Sequence, residues 1–410
     1  MKDIQIKKLI AEEKKRQKEV INLIASENYV SKDVLEALGS ELTNKYSEGY
    51  PGRRYYGGND VIDKIETVTQ DRALKLFGLS RREWAVNVQP LSGSPANLAV
   101  YAALVPIGGK IMGMTLSSGG HLTHGQKVSF TGKVWEQVPY TVNKSTGLLD
   151  YEELAQISID HQPNIVVAGF TAYPRIVDFK KFRAIADASN AILMVDMSHF
   201  AGLVAGKEYP SPFAYADVVT TTTHKTLRGP RSAMIFSRRD RRAVSYDKKP
   251  GAELSVLIDK AIIPGIQGGP HNNQVAAVAV ALREAMETSF KKYAKQVIKN
   301  AQALSNELVN LGWKVVSGGT DTHLLLVDVY GTTRIGGKEA SDRLEKAGII
   351  VNMNAIPHDT RSVQDPSGIR LGTAAETTRG KKEKDMVAIA RKIDQVLRGT
   401  SGTTLRPRRK

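Results

Sequence analysis

Lys225 stands in the stretch DVVTTTTHKTLRGPR (217–231), directly after four threonines and a histidine and shortly before a Gly-Pro turn. A lysine withdrawn from water has a lowered pKa, and its neutral amine can form a Schiff base with an aldehyde. Asp196 closes the apolar run AILMVDM (191–197). A carboxylate there can hold a pyridine nitrogen in its protonated, electron-accepting form. Ser92, Gly93 and Ser94 precede a helical pattern in QPLSGSPANLAVYAALV (89–105), with Pro95 suited to its first turn. Free backbone N–H groups, two hydroxyls and the helix dipole would face an anion such as a phosphate. Each feature alone has a plainer reading: a solvated lysine, a turn-capping aspartate, an ordinary capped helix. Together, on one chain, they match the aldehyde, ring nitrogen and phosphate of pyridoxal phosphate.

The elements that must position these groups follow from the apolar pattern. NIVVAGF (164–170), AILMVDM and DVVTTTT (217–223) read as buried strands, with a helical KKFRAIADASN between the first two. Strands alternating with helices predict an α/β chain whose mostly parallel sheet is covered on both faces. Ligands of such sheets gather at the carboxyl ends of strands, where Asp196 and Lys225 both fall. Residues 1–60 read as a charged helix followed by a polar, Tyr- and Gly-rich arm, and 61–280 as the large domain. A long helix over roughly 274–311 leads to a smaller α+β domain over 281–399. The Gly/Thr/Arg-rich tail, 400–410, is expected to be disordered.

Composition narrows the classes. The chain has 410 residues, with 41% hydrophobic and 24% charged residues, as an ordinary globular protein does. No apolar run reaches membrane length, and the first twenty residues lack an apolar signal core, so the expected setting is cytoplasmic. With no cysteine, disulfides, thiolate nucleophiles and sulfur-ligated zinc are excluded. The net charge of +16 suggests attraction to anions. Aromatics are sparse, however, and no aromatic-basic interleaving marks a base-stacking surface, so nucleic acid is not the expected partner. No G-x-S-x-G elbow or H-E-x-x-H is present. GTTRIGGKEAS (331–341) resembles a phosphate loop, but its spacing is off and Glu339 follows the lysine. His121 and His124 lack neighbouring Asp or Cys ligands, so no metal site is expected there.

Longer stretches carry a specific resemblance. LIASENYVS, LTNKYSEGYPGRRYYGG, NVQPLSGSPAN, GGHLTHG, LMVDMSHFAGLVA, VVTTTTHKTLRGPR, PGIQGGP and SGIRLGT make the chain resemble the serine hydroxymethyltransferase family from about residue 15 to 398. The resemblance implies a fold-type-I pyridoxal phosphate enzyme, a homodimer at least, with shared active sites. It implies reversible conversion of serine and tetrahydrofolate to glycine and 5,10-methylenetetrahydrofolate, through an aldimine and a quinonoid.

By the same resemblance Lys225 is the Schiff-base lysine, with Thr222 and His224 beside the cofactor. Asp196 is the pyridinium partner, His121 stacks on the ring, and His199 lies near the phenolic oxygen. Thr171 keeps a hydroxyl near the cofactor. Ser92, Gly93 and Ser94 bind the phosphate, joined by Tyr46, Gly268 and Gly269 from the second subunit. Arg370 binds the substrate carboxylate with help from Ser26. Glu48 and Tyr56 cross the dimer interface, Glu48 to move a proton, and Leu116, Gly120 and Leu122 contact folate.

Some positions depart from the family pattern: Leu91, Pro95, Thr171, Pro174, Ser232, Ala233 and the loop IPHDTRSVQDPSGIR (356–370), which lacks its usual Pro-Phe pair. Because that loop lies near the folate, a folate-independent aldolase acting on β-hydroxy amino acids is the alternative. A nucleic-acid-binding protein on a retired scaffold is a third reading, opposed by the intact catalytic groups.

Overall fold

The computed structural model describes residues 1–243 and 251–399; the tail over 400–410, expected to be disordered, lies outside them. Seven strands form the large sheet: β1 (Trp84–Asn87), β2 (Lys110–Met114), β3 (Glu136–Tyr140), β4 (Ile165–Gly169), β5 (Ile192–Asp196), β6 (Val218–Thr222) and β7 (Ala233–Arg238). Their order is β1-β7-β6-β5-β4-β2-β3. All neighbours from β6 to β3 are parallel, whereas β7 is antiparallel to both β6 and β1. The expected mostly parallel α/β sheet is therefore present.

Alternation explains why these strands read as continuous apolar runs. Along β4, Val166 and Ala168 face one hydrophobic cluster while Ile165 and Val167 face the other. On β5, Leu193 and Val195 divide from Met194 in the same way. A strand buried on both faces has no solvent side to make polar. The polar residue that ends β5, Asp196, lies beside Gly169 of β4 and Thr220 of β6, at the edge of the apolar layer.

The long helix expected over 274–311 is two helices, Asn272–Ala285 and Thr288–Asn310. Glu287, between them, has extended backbone angles. The first helix packs Val275, Val278 and Leu282 into the large core. The second begins in that core with Phe290 and Val297, then places Leu304 and Leu308 in a separate C-terminal core. The second helix therefore spans both cores on its own. The small sheet is antiparallel, in the order Lys314–Val315, Leu324–Asp328, Gly368–Gly372, Asn352–Asn354.

The N-terminal segment is stitched into this C-terminal layer. Ile21–Asn22 pairs in parallel with Ile349–Ile350, and Leu23 is fully buried in the C-terminal core. Gly372 makes room for it, because a Cβ there would stand 2.3 Å from the Ala25 Cα. Buried Glu376 accepts the Asn22 N–H at 2.9 Å and pairs with Arg379 at 2.9 Å. LIASEN is thus held beside the strand that carries Arg370. Among the described residues no helix is long and apolar enough to cross a membrane.

Candidate active site

Asp196 is buried where β5 ends. Its Oδ2 accepts from Asn97 Nδ2 at 2.9 Å and meets His124 Nε2 at 3.1 Å; its Oδ1 accepts from Ser198 Oγ at 2.6 Å and Ser198 N at 3.1 Å. Burial alone would raise its pKa, but the His124 hydrogen bond and the positive groups around it hold the carboxyl well below the usual range. It is a fixed anion. Lys225, three residues beyond β6, is also buried. Removal from water lowers its pKa from 10.5 to about 8, with Asp196 opposing the shift and Arg370 and Arg231 adding to it. The strand-end geometry therefore supplies both groups expected from the sequence: a permanent carboxylate and an amine that loses its proton readily.

These two share a cavity with Gly93, Asn97, His121, His124, Thr171, Ser198, His199 and Thr222. Its chemistry fits pyridoxal phosphate. The helix Gly93–Leu104 aims its N-terminus here, and Ser92 at the cap position makes no side-chain capping bond. A Cβ on Gly93 would stand 2.6 Å from Thr222 Cγ2, so only glycine lets this helix start approach the end of β6. Thr222 Oγ1 is buried and has no hydrogen-bond partner among the described residues, leaving a hydroxyl free to bond a cofactor. His121 bonds through Nδ1 to Thr123 Oγ1 at 2.7 Å, and burial lowers its pKa to about 4, so its ring is neutral. His224 is likewise neutral, its pKa lowered by burial to about 3, and its buried Nδ1 has no partner among the described residues.

Arg370 lies on Gly368–Gly372, opposite Leu326 and Asn352. It donates through Nη1 to the Thr171 carbonyl at 2.7 Å and through Nε to Asn352 Oδ1 at 3.1 Å. No carboxylate pairs with it among the described residues, and burial lowers its pKa to about 10. A largely desolvated guanidinium held by two neutral acceptors favours an incoming carboxylate. Thr171 in turn donates from Oγ1 to the Gly119 and Gly120 carbonyls at 3.2 and 3.1 Å, which ties Arg370 to the GGHLTHG loop. That loop leaves Leu116 and Leu122 exposed, with Gly120 buried between them. Ser26, half-buried, follows the segment stitched beside Gly372.

Tyr46, Glu48, Tyr56, Gly268 and Gly269 come together elsewhere. Tyr46 Oη donates to Glu48 Oε1 at 3.2 Å, the Tyr46 and Tyr56 rings meet edge-on at 5.1 Å, and Gly269 lies under the Tyr46 ring. None of the five lines the cavity around Lys225. Within one chain, the structure keeps these expected site residues apart from the others.

Several residues not expected at the cofactor site are part of the arrangement: Asn97 and Ser198 around Asp196, His323 against His199, and Asn28; His124, singled out in the sequence only as a possible metal ligand, also pairs with Asp196. Asn28 Nδ2 donates to the Lys225 carbonyl at 2.9 Å and lies 2.7 Å from Tyr293 Oη, while its Oδ1 accepts from Thr378 Oγ1 at 2.7 Å. Asn28→Ala is expected to destabilise the fold by about 3 kcal/mol, since three bonds of roughly 1 kcal/mol each are lost. It should also slow cofactor attachment by loosening the Lys225 backbone. Thermal unfolding and the rate of reconstitution with pyridoxal phosphate would check both; an unchanged rate would deny Asn28 a positioning role.

A family model described as Serine hydroxymethyltransferase matches residues 1–393. A curated Serine hydroxymethyltransferase of Desulfotalea psychrophila is 54% identical over 395 residues, covering 96% of this chain and 88% of the relative. One of Koribacter versatilis is 51% identical over 396 residues, covering 97% and 89%.

Proposed function

The chain belongs to the serine hydroxymethyltransferase family, and from that premise we propose which of its residues carry out each part of the work. The protein is a fold-type-I, pyridoxal phosphate-dependent transferase. It interconverts serine and tetrahydrofolate with glycine and 5,10-methylenetetrahydrofolate, within one-carbon metabolism and glycine biosynthesis. A folate-independent aldolase is not favoured, because both relatives carry the transferase name.

The observation that carries the assignment of residues is the joint placement of Lys225, Asp196 and the phosphate-ready helix start around one cavity. When bound, pyridoxal phosphate supplies an electron sink conjugated to the substrate Cα. Lys225 offers a neutral amine to the aldehyde, and Asp196 holds a proton on the ring nitrogen. Ser92, Gly93 and Ser94 bind the phosphate with backbone N–H groups and hydroxyls. His121, Thr171, His199, Thr222 and His224 would border the cofactor. Arg370, assisted by Ser26, would bind the substrate carboxylate and so orient the substrate in the cavity. Leu116, Gly120 and Leu122 form an apolar wall for the folate.

Glu48 moves a proton at the serine hydroxyl, and Tyr46, Tyr56, Gly268 and Gly269 complete the site from a second copy of the chain. The separation of this group from the Lys225 cavity supports that reading. So does the helix Ile4–Glu19, which has no buried residue and exposes Ile4, Ile6, Leu9 and Ile10. We read the chain as an arm (1–60), a cofactor-binding domain (61–280) and a smaller domain (281–399), with support from the separate hydrophobic cores. A cytoplasmic setting fits a chain without cysteine.

Subunit complementation tests the shared site. Lys225→Ala and Glu48→Gln are each expected to be inactive alone. Refolded together, they should form mixed dimers with one complete site and regain activity. Mixtures as inactive as their parents would mean that Glu48 serves the cavity of its own chain, or none.

A further inference from the structure

We propose that His323 fixes which nitrogen of His199 carries the proton, and so decides whether His199 offers the cofactor cavity a hydrogen-bond donor or an acceptor. The inference rests on reading that cavity as the pyridoxal phosphate site. His199 Nδ1 and His323 Nε2 lie 3.2 Å apart, with the rings stacked at 5.4 Å between centroids and 28° between planes. Both side chains are buried. Both rings are anchored through their backbones: the His199 carbonyl accepts from Thr226 Oγ1 at 2.8 Å, and the His323 carbonyl from Thr373 N at 3.0 Å.

The two histidines come from different layers. His199 follows Asp196 after the end of β5, whereas His323 immediately precedes the strand Leu324–Asp328, which pairs with the strand bearing Arg370. Burial, with the positive charges of Lys225 and Arg370 nearby, keeps both rings neutral at physiological pH. A neutral imidazole has one donor nitrogen and one acceptor nitrogen. If His323 Nε2 donates, His199 Nδ1 must accept, and His199 keeps its proton on Nε2. If His199 Nδ1 donates, His323 Nε2 accepts and His199 Nε2 is bare. Either way both rings carry the proton on the same-named nitrogen, and Nε2 is the His199 atom left for the cavity. His323 is therefore a positioning residue, acting from the C-terminal layer through His199.

Ring-nitrogen NMR of protein labelled with 15N-histidine reads these tautomers directly, with and without added pyridoxal phosphate. The expected result is a shared tautomer in the wild-type protein. His323→Leu should release His199 to a different or mixed tautomer and raise the dissociation constant for pyridoxal phosphate about fivefold, the value of one hydrogen bond. His323→Gln, which keeps an amide donor and acceptor, should preserve the His199 signal and most of the affinity. Opposite tautomers in the wild type, or an unchanged His199 signal in folded His323→Leu, would overturn the proposal. If wild-type protein bound no pyridoxal phosphate, the reading of the cavity would fall instead. Spectra of the unloaded protein would still decide the pairing by the same criterion.

Discussion

Lys225→Ala is expected to abolish covalent attachment of pyridoxal phosphate and to lower turnover by on the order of 10³-fold or more, the range of a well-placed proton-transfer or nucleophilic group. The variant should fold at least as well as the wild type. The lysine is buried and its charge disfavoured there, so alanine removes a desolvation cost along with the amine. Circular dichroism and thermal unfolding separate that outcome from simple misfolding.

The pH dependence of attachment follows from the same burial. Addition to an aldehyde needs the unprotonated amine, and the pKa of Lys225 is lowered by burial to about 8, well under the 10.5 of a free lysine. The rate at which stripped wild-type protein takes up pyridoxal phosphate should rise with pH through about 8 and then level off. A rate still climbing toward the pKa of an ordinary lysine would mean that Lys225 is not the attacking group, or is not desolvated.

Arg370→Ala is expected to leave cofactor attachment intact and to lower kcat/KM for serine by roughly 10²-fold to 10³-fold. Truncating one partner of a buried, hydrogen-bonded charge pair costs about 2–5 kcal/mol, and each 1.4 kcal/mol is about tenfold. The present bonds of Arg370, to the Thr171 carbonyl and Asn352 Oδ1, are to neutral acceptors. They orient the fork without neutralising it. Arg370→Lys keeps a charge but loses the planar two-pronged geometry, so it should recover affinity only in part. Steady-state kinetics with serine, beside an unchanged absorbance of the bound cofactor, would show whether the loss lies in substrate binding. Equal kinetics in wild type and Arg370→Ala would remove Arg370 from the substrate site.

The strand ends were readable in the sequence because burial on both faces of a parallel sheet leaves an unmistakable apolar run. Its last residue, Asp196 or the Thr222 that leads to Lys225, then marks the ligand edge. Contacts that cross the chain leave no such mark. Asn28 touches a carbonyl 197 residues away, and neither stretch carries a periodicity that announces the other. His323 lies just before a strand of the C-terminal sheet, 124 residues from His199, so only folding makes them neighbours. The helix break at Met286 and Glu287 contains neither glycine nor proline, and the apolar pattern runs through it undisturbed. Similarly, Gly368–Gly372 has an arginine at its centre and a glycine at each end, so no apolar run marks it as a strand, although Arg370 within it did stand out by family pattern. The altered loop before Arg370 folds around Asp359, which accepts from Ser367 Oγ at 2.7 Å and Ser367 N at 2.8 Å. Family resemblance did not foretell that local knot.

The most direct measurement is glycine formation from serine by the purified holoenzyme, with and without tetrahydrofolate. Folate-dependent glycine, matched one for one by 5,10-methylenetetrahydrofolate and absent in Lys225→Ala, is the expected result. Serine cleavage at the same rate without folate would contradict it and identify a folate-independent aldolase.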